Sequence, residues 1–179
     1  METSNNGSWV IDPVHSKIRF ESKYLLLTAV TGWFNEMEGT VVTGYDNFDA
    51  CSISLLIYTN SLTTQNESRD EHLRSADFFD TASFPTIRFQ STEVKSVERR
   101  LAVTGDLTIK GVTKLIRFDA GFLGTVNDPY GNRKAGFTLN TTLNRKDFDI
   151  SWNKYFDQEG ILLSDEVTIV ADLQLMKLS

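Results

Sequence analysis

The sequence predicts an all-β domain of eight antiparallel strands with one short helix between them. Three observations carry this reading. Apolar and polar residues alternate with period two along successive short runs. Nothing repeats the strand, helix, strand rhythm that a parallel sheet needs. One stretch, residues 66–85, breaks the alternation and carries helix signals instead.

Taken in order, Trp9-Val10-Ile11 opens the ordered part, and Asp12-Pro13 turns the chain. Ile18 and Phe20 then alternate with Lys17, Arg19 and Glu21 as a half-buried strand. From Val30 a longer run passes Gly32, Phe34 and Gly39 to Val42, with the glycines expected where a strand bends sharply. Gly44-Tyr45-Asp46-Asn47 closes that loop, and Ile53, Leu55 and Ile57 face one way in the next strand. In the helical stretch, Thr64 with Glu67 forms a capping-box pattern, and Asp70 with Arg74 supports the helix at i,i+4. Its early turns are polar, whereas Leu73, Ala76, Phe78 and Phe79 gather at its end. That is the pattern of a lid anchored at one end, or of a polar helix joining two strands.

Beyond it, Ile87 and Phe89 alternate with Arg88 and Gln90, and Leu101, Val103, Leu107 and Ile109 with Thr104, Asp106 and Thr108. Lys110-Gly111 is a compact turn, and residues 112–126 then run so far that Gly121 or Gly124 is expected to bend them. Asn127-Asp128-Pro129-Tyr130-Gly131 is another turn before the strand of Ala135, Phe137, Leu139 and Leu143. Residues 144–160 lack a period and read as a mouth loop carrying Phe148, Trp152, Tyr155 and Phe156. Val167, Ile169, Ala171, Leu173 and Leu175 line the last strand.

Such strands close as a two-sheet sandwich or as a barrel, whose interior is either solid or holds one small ligand. Phe20, Phe34, Ile53, Leu55, Ile57, Phe89, Val103, Phe118, Phe137, Leu139 and Ile169 lie on the apolar faces that would converge inside a barrel. Small inward residues among them, namely Ala120, Ala135, Ala171 and Gly105, favour a vacancy. The 179 residues suit one domain, with residues 1–7 as a flexible N-terminus and 8–179 as the folded unit.

A net charge of -6 without a Lys/Arg run disfavours nucleic acid and anionic membrane as main partners. Cys51, the single cysteine, admits no intrachain disulfide and reads as a small buried hydrophobe. The polar N-terminus has no apolar core of a leader, and no run reaches the ~18 apolar residues of a membrane helix, so the chain reads as cytoplasmic, without membrane insertion. His15 and His72 lack a third ligand at metal spacing, and no nucleophile elbow is present, so neither a metal nor a catalytic residue is expected.

The sequence also resembles the YceI-like family, from Trp9 to about Leu175. The matching words are Trp9-Val10-Ile11-Asp12-Pro13-Val14-His15-Ser16, Val30-Thr31-Gly32-Trp33-Phe34, and Arg69-Asp70-Glu71-His72-Leu73-Arg74-Ser75-Ala76-Asp77-Phe78-Phe79-Asp80 followed by Phe84-Pro85. Further on come Val103-Thr104-Gly105-Asp106-Leu107-Thr108-Ile109-Lys110-Gly111-Val112-Thr113-Lys114, Asn144-Arg145-Lys146-Asp147-Phe148 and Ser164-Asp165-Glu166-Val167. Asp149 stands where that family usually has glycine, at a position expected to need positive φ.

The resemblance implies a lipocalin-like barrel enclosing a long apolar ligand of polyisoprenoid or fatty-acyl type, no other cofactor, and a homodimer. The expected function is non-enzymatic binding, transport or storage of that lipid. The side chains named above, with Ala120, Ala171 and Phe78, would line the ligand, and His72 on the lid would meet its polar end. Two alternatives are a hydrolase or isomerase using His15 or His72, and a stress-related module that binds another protein.

Overall fold

The computed structural model describes residues 7–44, 47–156 and 160–179. In chain order the elements are β1 (Gly7–Ile11), β2 (Lys17–Tyr24), β3 (Thr28–Phe34), β4 (Met37–Thr43), β5 (Ser52–Tyr58), β6 (Leu62–Thr63) and α1 (Glu67–Arg74). Then follow β7 (Thr86–Val97), β8 (Arg100–Ile109), β9 (Val112–Asn127), β10 (Arg133–Asn144), β11 (Tyr155–Phe156), β12 (Gly160–Ile161) and β13 (Leu163–Lys177). Every pairing is antiparallel, and the ring β1-β4-β5-β7-β8-β9-β10-β13 closes by β13 pairing with β1, which makes an eight-stranded barrel. Gly7, assigned to the N-terminal tail from sequence, opens β1 opposite Thr43; residues 1–6, like Tyr45 and Asp46 of the expected β4–β5 turn, lie outside the described residues.

The strand of the first alternation is broken in the middle. One edge of β13 pairs with β2 up to Asp172↔Lys17 and then with β1 from Leu175↔Ile11, so β1 and β2 are two halves of one wall strand. At the break the Ser16 hydroxyl stands in for the missing ladder, donating to the Gln174 carbonyl at 3.3 Å and accepting from its amide at 3.0 Å. The Asp12 carboxylate beside it accepts from Lys134 and His15, both at 2.9 Å. Burial pushes that carboxyl up, but the hydrogen bonds and charges of Lys134 and His15 outweigh it and hold it well below the usual carboxylate range. Next door, β3 and β4 are likewise halves of one strand, and at their junction the Ser61 hydroxyl accepts from the amides of Asn35 and Glu36 at 3.1 and 3.0 Å. Buried backbone groups must be paired, and these hydroxyls allow the wall to bend without leaving them open.

Beyond the β5 end the wall splits, because β6 pairs with β3 while β7 pairs with β5. Helix α1 lies in this interval. It hangs from β6 by polar bonds: the buried Asp70 carboxylate accepts from the Thr64 amide at 2.8 Å and the Thr63 hydroxyl at 3.0 Å, and Arg74 donates to the Leu62 carbonyl at 2.9 Å. The cap expected at Thr64 is therefore corrected. Asn66 caps the helix, its side-chain oxygen accepting from the Arg69 amide at 3.0 Å, because the Thr64 hydroxyl is committed to Asp70. The apolar end docks as expected, with Phe79 edge-on to Phe20 and Phe34 at centroid distances of 6.1 and 5.6 Å.

Two glycine expectations are also corrected. Phe20 lies directly opposite Gly32, and its ring covers the glycine so closely that a Cβ there would collide with it, so Gly32 serves ring packing. A Cβ on Gly105 would lie 2.5 Å from both the Phe89 ring and the Gln90 carbonyl, so Gly105 contributes no vacancy. Gly124 does bend its strand: φ is +121°, and the β9–β10 register slips there, leaving Leu123 as the extra residue. Lys110 and Gly111, at φ 49° and 75°, make the β8–β9 turn, and Asp149 keeps the left-handed backbone of its position at φ 58°. One end of the barrel is filled by aromatic rings, Trp9 against Phe48 and Phe48 against Phe122 and Phe137 at 4.9–5.6 Å.

Candidate functional site

Two chambers are stacked along the interior, and they share Phe34, Ile87, Ile109, Leu143 and Ile169 as common wall. The inner one has a volume of about 180 Å³ and rests on Phe48, Cys51 and Phe137. Its walls come from alternate residues of the barrel strands, since successive side chains point to opposite faces. Phe34, Ile53, Leu55, Ile57, Phe89, Val103, Phe118, Ala120, Phe137, Leu139, Ile169 and Ala171, all singled out from sequence, line it. Ala135 is buried but lines neither chamber, which corrects its place among the residues that leave space. Apolar cavities of roughly 150 Å³ stay dry and accept apolar guests, and the inner chamber belongs to that class.

The outer chamber, of about 470 Å³, lies under α1 and the segment that follows a 3₁₀ turn at Arg145–Phe148. That volume falls within the ~300–1,000 Å³ usual for small-molecule sites. Phe20, Phe34, His72, Phe78 and Ile169, expected from sequence, line it. Phe148 and Trp152 of the expected mouth loop line it as well, whereas Arg69, Arg145 and Leu162 were not marked in the sequence, because no alternation points to an inward face on a helix flank or beside an aperiodic stretch. Of the mouth loop read from sequence, residues 155–156 and 160–161 pair as a short hairpin and 157–159 lie outside the described residues.

His72 joins the lid to the rim. Its Nε2 lies 2.8 Å from the Asp77 carboxylate, and its ring meets Phe78 and Trp152 edge-on at 5.1 and 4.7 Å. Arg145 shapes the rim itself: it is buried and donates to the carbonyls of Ser164, Ile150 and Trp152 at 2.9, 2.8 and 2.7 Å. Among the described lining residues of the outer chamber, those with ionisable side chains of ordinary relevance at neutral pH are Arg69, His72 and Arg145, and no carboxylate is present. The wall thus carries positive and imidazole nitrogens, each engaged by protein acceptors, among a largely hydrocarbon lining.

Burial pushes the Cys51 thiol up to about 11, so it stays protonated and unreactive at neutral pH. His15 sits in the β1–β2 break, bonded to Asp12 and lining neither chamber, so it is not brought together with His72. Among the described residues no hydroxyl or thiol is hydrogen-bonded to the His72 ring, and no group of three His, Cys, Asp or Glu side chains is placed to hold a metal ion.

Residues 9–175 match the family model of the YceI-like domain. A UPF0312 protein of Pectobacterium atrosepticum is 40% identical over 137 residues, which cover 76% of this chain and 71% of that protein. Among solved structures, BcnA of Burkholderia cenocepacia superimposes with a TM-score of 0.77 at 22% identity, over 92% of this chain and 98% of BcnA. A polyisoprenoid-binding domain from Saccharophagus degradans, implicated in plant cell wall breakdown, does so with a TM-score of 0.73 at 14% identity, over 94% and 97% of the two chains.

Proposed function

Because this chain belongs to the YceI-like domain family, we propose that it binds, and carries or stores, a long apolar lipid of polyisoprenoid or fatty-acyl type without chemically altering it. The observation that supports this most directly is the pair of adjoining chambers, the inner one hydrocarbon-walled and the outer one alone carrying basic side chains, beneath the lid. Each methylene taken from water into such a wall contributes about 0.8 kcal/mol, so chain length supplies affinity that no single polar contact could. The tail runs toward Phe48 and Ala171, and the polar end stays beside Arg69, His72 and Trp152. The solved Saccharophagus domain, described as polyisoprenoid-binding, supports an apolar ligand class. The reading needs no metal and no further cofactor.

Mass spectrometry of an organic extract of natively purified protein tests it. A prenyl or acyl species at near-stoichiometric yield is expected. Extracts without lipid, together with a protein that takes up neither a fluorescent prenyl nor a fluorescent acyl probe, would overturn the reading.

A further inference from the structure

The turn between β2 and β3 breaks two ordinary rules at once. Leu25 and Leu26 both adopt positive φ, 53° and 58°, a conformation that bulky side chains avoid and that hairpin turns normally give to Asn or Gly. The side chains presented there are apolar: Leu26 is 60% exposed and Leu27 82%, beside Tyr24 at 40%. Leu26 and Leu27 take no part in the core, so packing does not explain either the residue type or the strained backbone. Yet the turn is held firmly, with the Leu27 amide bonded to the Tyr24 carbonyl at 3.0 Å and the Leu25 amide to the Leu162 carbonyl at 2.8 Å.

Its position gives it meaning. Tyr24 and Thr28, which flank the leucines, line the outer chamber, and so does Leu162, which anchors them. The exposed leucines therefore sit on the outer lip of the wall around that chamber. Two exposed lysines belong to the backbone around the turn: Lys23 on β2, and Lys154, whose carbonyl accepts from the Leu162 amide at 3.0 Å. Glu21, the nearest acidic residue along β2, is engaged by Arg19 at 3.4 Å. Apolar residues at a tip, a tyrosine at their base and lysines behind them form the arrangement that suits the boundary between acyl chains and phosphates.

We propose that the Tyr24-Leu25-Leu26-Leu27 turn docks this protein on a lipid bilayer surface, with the leucines entering the acyl boundary and Lys23 and Lys154 against lipid phosphates. The contact is peripheral; no described helix is long and apolar enough to cross a membrane. The inference rests on the lipid-binding reading in one respect, that docking brings the chamber mouth to the source of the ligand.

Flotation with phosphatidylcholine vesicles, with and without phosphatidylglycerol, tests it on the full chain. Wild type should float with vesicles, more strongly when phosphatidylglycerol is present. Each leucine changed in Leu26→Ser and Leu27→Ser should lower partitioning by roughly tenfold. A second variant, Leu25→Asn with Leu26→Gly, relieves the backbone and should raise the melting temperature while weakening flotation, which no misfolded protein would do. A wild type that never floats overturns the proposal. So does a serine variant that floats normally but loses self-association in sedimentation, because the turn would then be a contact between two copies. Uptake of a fluorescent prenyl probe is measured in parallel. Probe uptake without flotation overturns docking alone, whereas flotation without uptake sustains docking and overturns the carrier reading.

Discussion

Asp12 carries the seam at the residue scale. It receives Lys134, His15 and the Gln174 side-chain amide in one small region, with only 12% of its side chain exposed, so its charge is needed where two strand halves meet. A carboxyl with a lowered folded-state pKa gives stability that is full above its unfolded value, ~4, and is lost as pH falls through that value toward the folded one. Acid titration of unfolding between pH 5 and 2 should therefore show a steep loss that Asp12→Asn flattens, and the variant should be about 2 kcal/mol less stable at pH 7. Asp149 works in the opposite sense. A left-handed non-glycine residue costs about 1–2 kcal/mol, whereas glycine costs about 0.5–1 kcal/mol in unfolded-state entropy, so Asp149→Gly should gain roughly 0.5–1 kcal/mol in denaturant melts. The need for positive φ there was implied by the family resemblance, because that family usually has glycine at this position. The role of Arg145 was not legible in sequence, since its hydrogen bonds go to backbone carbonyls that only the folded rim assembles.

Among the elements, α1 is the part whose stability is separable from the barrel. Its polar faces bind β6 through Asp70 and Arg74, and apolar contact is concentrated after its end at Phe78 and Phe79. Removing the cap with Asn66→Ala should cost the helix about 1 kcal/mol. Hydrogen exchange should show that loss in the amides of α1 and leave β8 and β10 protected, while bound probe exchanges faster. The helix itself was legible from its polar run between strands. Its cap was misread because Thr64 and Asn66 both fit a cap pattern, and the choice depends on the Asp70 carboxylate claiming the Thr64 hydroxyl.

For the whole molecule, period-two alternation was enough to find the inner faces, and the lower chamber is built from those residues. It could not tell which small residues leave room: Gly105 lies under a ring, whereas Ala171 borders open space. That difference is testable. Ala171→Trp should fill the inner chamber, abolish probe binding and shift stability by less than the ~1–3 kcal/mol of an overpacked core, as read by paired melting and binding curves. The seam that closes the barrel carries a further consequence. Trp9 pairs with Lys177 and the Leu178 amide donates to the Ser8 carbonyl at 2.7 Å, so the ring is completed by residues from nearly opposite ends of the sequence. Contact order is correspondingly high, and the loop-closure entropy falls due before those contacts reward it. Refolding is therefore expected on the millisecond-to-second scale, and until β13 pairs with β1 and β10 the greasy lining of the future chambers stays open to water.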